Sequence, residues 1–401
     1  MARKKSHAVF EIPTWRMDAS RLRISNERAV LVSVATTPGS SAAEVARTTG
    51  LGPQSVGRIL TDLEEAGLVV RGEARRGQRG QPAVPMYLNP GGVFSLGCEI
   101  GWRHLHILIR NLTGDILGEH WRDYAFPDAH TIMEEVGSLS RLLTGLVPAD
   151  ERHRILGLGL AMPSGIGRNI DLVGGSPEQA ALWRAMDVQA AAEAATGLRV
   201  FRFNDGNAGA WAELAAHPVP RPANLAYIQV GTFIGAGLIV EGRLWEGPTG
   251  NSANLGSMII RGDDGLPKFV HLLASLYALE KRLAAAGMQV PSGNPATWNW
   301  KALEPIASDW LQDAAAALAT TVVNAHALAE FSVVLIDGVM PRPVVERLVD
   351  LVRNAVAALP VLTADPPSIE VGRLGRSAAA RGAALKPIFR SFFSRASSDL
   401  R

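Results

Sequence analysis

Between Arg21 and Ala35 apolar positions return at helical spacing, with Ile24, Leu31, Val34 and Ala35 on one face. A break at Thr-Thr-Pro-Gly-Ser follows. Ser41 and Glu44 then stand at the spacing of a capping box, with Val45 and Ala46 inside the short helix that Gly50 ends. Pro53 suits a first helical turn, and Val56, Ile59, Leu60 and Leu63 face one core. A short helix, a glycine turn and a second helix make a helix-turn-helix. Next comes an apolar strand start at residues 68–70, a tip rich in Gly and Arg, and a return strand near 84–88. This hairpin stands where a wing would.

From Phe94 the pattern becomes glycine-rich apolar strands alternating with amphipathic helices. FSLGCEIGWRHLHILIRNLTGDIL predicts two strands joined by a turn near residues 112–114. ILGLGLAMPSGI is a buried strand running into a Gly/Pro loop, and LRVFRFNDGNAGAWAEL a strand, a polar turn and a helix start. NLAYIQVGTFIGAGLIVEGRLWEG is a hairpin-like pair; a long helix beginning near Asp309 leads to the buried strand FSVVLIDGVMP. Strands that deliver polar loops beside helices predict an α/β architecture with a central cleft.

Length and composition set outer limits. The 401 residues, 47% hydrophobic and 19% charged, suit two or three globular units. A lone cysteine, Cys98, permits neither an intrachain disulfide nor a cysteine-rich zinc site. The first residues lack a signal peptide's apolar core, and the alanine-rich run near 320 is interrupted by Asn324 and His326, so a cytoplasmic chain without membrane association is expected. Charge is unevenly divided. Residues 1–90 carry 13 Lys and Arg against 8 Asp and Glu, a net +5, and the remainder a net −3. Attraction for a polyanion is therefore concentrated at one end.

Early in the second helix of the helix-turn-helix, Gln54, Ser55, Gly57 and Arg58 are the residues expected to face base edges of double-stranded DNA. Arg58 suits guanine and Gln54 adenine. Arg71, Arg75, Arg76 and Arg79 lie on or near the wing tip, where a narrow minor groove favours arginine. The alternative is an ordinary exposed face of a helical hairpin.

In order along the chain, AMPSGI from Ala161, NDGNAGAWAEL from Asn204 and QVGTFIGAGLIVEGRLWEG from Gln229 resemble three motifs of the ROK family of repressors and kinases. The resemblance runs from about Ser25 to Ile388 and includes the winged helix of that family's repressors. It implies an N-terminal winged helix-turn-helix followed by a two-lobed sugar-kinase/actin-like (ribonuclease H-like) domain. The expected boundaries are an arm at 1–20, the DNA-binding domain at 21–90 and the effector and oligomerisation domain at 91–401. Asp205 holds the position of the kinases' general base. Ser164, Gly165, Asn204, Asp205, Asn254 and Ser257 are the expected contacts of a sugar or sugar derivative; the competing reading is that Asn204 and Asp205 merely cap a helix.

Departures from the kinase pattern are specific. Where the family has Asp-x-Gly-Gly-Thr, this chain has Glu99, Ile100, Gly101, Trp102 and Arg103; in the second phosphate loop Phe233 replaces the middle glycine. Bulky rings fill the space a nucleotide's phosphates need. The Glu-x-Gly-His motif is replaced by Asn254, Leu255, Gly256 and Ser257, and no cysteine follows, so no metal and no other cofactor is expected. His271 is read as a surface or core histidine, and Trp245, Trp298 and Trp300 are left outside the site. The leading expectation is a homodimeric or homotetrameric repressor that binds DNA and a sugar effector without catalysis. A ligand-independent DNA-binding oligomer comes second, and an ATP-dependent sugar kinase third.

Overall fold

In the computed structural model, which describes residues 19–74, 84–251, 253–262, 264–360 and 365–394, the chain divides into two compact units. The first takes in the chain up to Gly92 together with the segment from Phe389 onward. It contains α1 (Ala19–Thr36), α2 (Ala42–Thr49), α3 (Pro53–Glu65), β1 (Val69–Arg71) and β2 (Met86–Leu88). The capping box closes as expected: the Glu44 amide donates to the Ser41 hydroxyl, and the Ser41 amide to the Glu44 carboxylate at 2.7 Å. Gly50 ends α2 with φ of 71°, a left-handed conformation that glycine adopts without steric cost. Val56, Ile59, Leu60 and Leu63 are buried under α3, beside Val30, Leu31 and Val34 of α1. β1 and β2 pair antiparallel, and Ser40 bridges to Met86, tying the α1–α2 turn to the hairpin.

The C-terminal part of the expected 91–401 domain is divided between the units. Residues 389–393 form a wide helical turn packed on α1. The buried Arg28 donates from its guanidinium to the carbonyl oxygens of Ser391, at 2.9 Å, and Ser394. A buried guanidinium must find acceptors, and these lie more than 360 positions away, beyond the reach of any local pattern.

The second unit, Val93–Ile388, contains two five-stranded sheets of the same design. In its first lobe, β3 (Phe94–Ile100), β4 (His104–Asn111) and β5 (Ile116–Asp123) are antiparallel neighbours. Helix α4 (Ala129–Thr144) leads to β6 (Ile155–Met162), then α5 (Ile166–Asn169), α6 (Pro177–Ala185), α7 (Val188–Thr196) and β7 (Val200–Asn204). The sheet order is β5-β4-β3-β6-β7. The stretch expected to hold two strands thus holds three. The predicted turn joins β4 to β5, and a further reversal at residues 101–103 is concealed by the apolar run around it.

After α8 (Asp205–Ala216) the second lobe repeats the plan with β8 (Leu225–Val230), β9 (Ile234–Val240) and β10 (Arg243–Leu244). A small hairpin, β11 (Ile259–Arg261) and β12 (Pro267–Phe269), precedes α9 (His271–Ala274), α10 (Leu276–Ala285) and the long α11 (Ile306–Ala329). Then come β13 (Val333–Gly338), α12 (Arg342–Ala358), β14 (Ser368–Val371) and α13 (Ala378–Ile388), giving the order β10-β9-β8-β13-β14. Each lobe has its own core, one around Leu96, Ile107, Ile132 and Leu160, the other around Ile228, Trp310, Leu318 and Ile336.

Between the sheets, α13 packs on β3, β6 and α8. The approach is close enough that a Cβ at Gly159 would overlap the carbonyl oxygen of Ala383, and one at Gly382 that of Ala208. Among the described residues no helix is long and apolar enough to cross a membrane. Arg28→Ala, which strips two carbonyls of their donor, is expected to lower the stability of the first unit by about 1–3 kcal/mol. Chemical denaturation followed by a probe in that unit measures it; an unchanged midpoint would show that the clasp contributes nothing.

Candidate functional site

The sites are built on element ends. Asn204 caps α8, accepting from the Asn207 amide at 3.1 Å, while its side-chain amide donates to the Ser164 hydroxyl at 3.2 Å. Capping and presentation to the cleft therefore coexist in one residue. Asp205, in the first turn of α8, accepts from the Gly206 amide at 2.9 Å. Burial, reinforced by the neighbouring Glu99 carboxylate and opposed by the Gly206 N–H, pushes the Asp205 carboxyl up to about 6.

All six residues expected to contact a sugar line one cavity of about 390 Å³: Ser164 and Gly165 after β6, Asn204 and Asp205 at the start of α8, Asn254 and Ser257 before β11. His271 lines the same cavity. Its Nδ1 accepts from the Ile234 amide at 3.1 Å, which leaves the proton on Nε2, and burial lowers its pKa to about 4. It is therefore a neutral donor in the wall. A lone histidine has no sequence signature for that role; its proximity to Gly256, where a Cβ would strike the imidazole, exists only in the fold.

A second cavity of about 410 Å³ is lined by Glu99, His104, Gln229, Thr232 and Trp298, among others. Asp205, Trp102, Phe233 and Gly235 belong to both. Trp102 sits in the β3–β4 turn and Phe233 in the β8–β9 turn, topologically equivalent places in the two lobes. Their rings meet edge to face, centroids 4.8 Å apart at 78°. Phe233 is backed by Tyr277 at 5.3 Å. The pair forms a wall between the two cavities. Trp298, set aside in the sequence, is a wall of the second cavity through packing, its indole N–H held by the Ser292 carbonyl at 3.2 Å.

In the first unit, Gln54, Ser55, Gly57 and Arg58 all lie on the exposed side of α3, opposite its buried stripe. Arg71 is exposed and paired with Glu64 at 2.8 Å, a surface ion pair that polyanion phosphates can displace at little cost. Arg75, Arg76 and Arg79 lie outside the described residues.

A family model described as the ROK family matches residues 95–386. The chain belongs to the ROK family. A second model, described as the MarR family, matches residues 25–80. The protein y4fQ of Sinorhizobium fredii is 25% identical over 92% of each chain. The xylose repressor of Caldicellulosiruptor bescii is 24% identical over 61% of this chain, the match spanning 60% of the repressor. Among solved structures, a ROK family transcriptional regulator, a homologue of the E. coli MLC protein, superposes with a TM-score of 0.67 at 20% identity, covering 92% of this chain and 96% of that one. The α/β fold with a winged helix ahead of a ROK domain is thus as expected.

Set against the ROK kinase pattern, the second cavity is where the phosphate loops would act, and its cations are engaged. Arg103 pairs with Glu280 at 3.0 Å and donates to the Ala125 carbonyl; Arg376 pairs with Asp123 at 3.2 Å and lies over the Trp121 ring. Glu99 is buried with one carboxylate oxygen unpartnered, and His104 approaches the other at 3.3 Å. Two tied arginines beside two carboxylates offer a polyphosphate little attraction. The ROK zinc loop does not fit this chain either. Asn254 and Ser257 are neutral, Asp264 pairs with Lys268 at 2.6 Å, His271 gives its Nδ1 to a backbone amide, and the described residues contain no group of three metal-ligating side chains.

Asp205 titrates near 6 in the folded chain against an ordinary 3.8, so the folded state binds the proton more tightly. That stabilisation is complete below pH 3.8 and disappears as pH rises through 6. Asp205→Asn cannot ionise and should gain on the parent chain between pH 4 and 7.5, reaching about 1–3 kcal/mol in denaturant titrations. Parallel pH profiles for the two chains would contradict a carboxyl raised by desolvation.

Proposed function

We propose that this protein is a sequence-specific DNA-binding transcriptional repressor of carbohydrate-related genes, whose affinity for its operator responds to a sugar or sugar derivative held at Ser164, Gly165, Asn204, Asp205, Asn254 and Ser257. It acts without phosphoryl transfer. The observation that carries this reading is the Trp102–Phe233 contact, which separates the sugar-side cavity from the nucleotide-side cavity, in a chain that also holds a winged helix with a free reading face. A kinase needs donor phosphate and acceptor hydroxyl in one continuous space. Here Asp205 is a hydrogen-bond acceptor for a sugar hydroxyl rather than a base in a reaction. Reading DNA as a symmetric homodimer or homotetramer presents paired α3 helices to a two-fold operator.

In a mobility-shift assay on the protein's own promoter region, Arg58→Ala should bind about 5- to 150-fold more weakly, the cost of one bidentate base contact. A sugar that raises the melting temperature of the parent chain should change its operator affinity, and Asp205→Ala should abolish both effects. Operator and random DNA bound equally at moderate salt would defeat the reading. ADP release in a coupled assay across hexoses would defeat the non-catalytic part alone.

A further inference from the structure

Three ionisable side chains line the sugar-side cavity among the described residues: Asp205, His271 and Arg168. His271 is neutral, since burial holds it near 4, while the Asp205 carboxyl, raised to about 6, is still largely ionised at physiological pH. Arg168 is permanently cationic. It lies on α5, in the loop that also supplies Ser164 and Gly165, and its guanidinium is exposed with no carboxylate partner among the described residues. The contrast with the other cavity is direct: there Arg103 and Arg376 are each tied to an acid. The rest of the sugar-side lining adds the His271 Nε2–H and side chains such as Asn254 and Ser257 that both donate and accept. A neutral sugar can meet those groups through its hydroxyls but brings no anion to the guanidinium.

Resting on the effector reading above, we propose that the ligand is an acidic sugar, whose carboxylate or phosphate is taken by the Arg168 guanidinium while Asn204 and Asp205 take ring hydroxyls. Arg168 is then the residue that selects charge, through two parallel N–H donations to the anionic group. Asp205 selects the hydroxyl pattern. The preference weakens with salt, because the guanidinium stands at an exposed wall.

Calorimetric titration of the full chain with glucose, glucuronate and glucose 6-phosphate, the corresponding mannose, galactose and N-acetylglucosamine series, and inorganic phosphate tests this. At least one acidic form should bind ten or more times tighter than its neutral parent at low salt; whether it is the uronate or the phosphate identifies the source of the anion. Arg168→Gln should erase that advantage and leave the neutral parent within twofold, while Arg168→Lys keeps part of it. Because Arg168 is exposed, both variants should melt with the parent chain. The proposal is overturned if no acidic sugar binds, if the neutral parent matches both acidic forms, if the preference survives Arg168→Gln, or if inorganic phosphate alone binds as tightly as the sugar phosphate. A neutral sugar that binds and shifts operator affinity would sink this inference and leave the regulator reading standing; operator binding that no sugar alters would remove the effector reading itself.

Discussion

Where the β3–β4 and β8–β9 turns approach each other, the ring of Phe233 meets the indole of Trp102, and the pair lines both cavities of the cleft. An edge-to-face pair contributes about 0.5–1.5 kcal/mol beyond the area it buries. Its larger effect is geometric. Both rings stand at hairpin tips, which are stiff because each is clamped by a ladder of strand hydrogen bonds on one side of the cleft. Two glycines at these tips would leave an open channel; two aromatic rings leave two compartments that share only the neighbourhood of Asp205 and Gly235.

The duplicated sheet design explains why the two rings meet. Each lobe presents the same turn to the same cleft, so a ring at either tip finds its counterpart directly opposite. Helices α8 and α13 hold the sheets in register at spacings that allow no methyl group at Gly159 or Gly382. Such packing transmits small displacements without absorbing them. A ligand drawing Asn204 and Ser164 together acts at the start of α8, and α8 lies against α13.

Much of this was legible in the sequence, and the division follows interaction range. The capping box at Ser41 and Glu44, the glycine stop at Gly50 and the buried stripe of α3 depend on neighbours within a few positions, and periodicity reveals them. The six residues of the sugar-side cavity were legible through motif order, although whether they bind a ligand rests on the proposal above. What escaped depends on distant contacts. The reversal at residues 101–103 is hidden in an apolar run, His271 acquires its place only from the Ile234 amide, and Arg168 joins the cavity wall only through the fold. The engagement of Arg103 by Glu280 likewise joins positions 177 apart, beyond the reach of any local pattern.

The clasp of Arg28 on the carbonyls of Ser391 and Ser394 bears on how the protein is made. The unit that carries α3 takes Ser391 and Ser394 from chain that is synthesised only after the whole of Val93–Ile388. A nascent chain that has not yet reached Ser391 therefore holds an unfinished first unit, its Arg28 guanidinium without these two acceptors. Completion of the first unit's packing is thereby coupled to synthesis of the second.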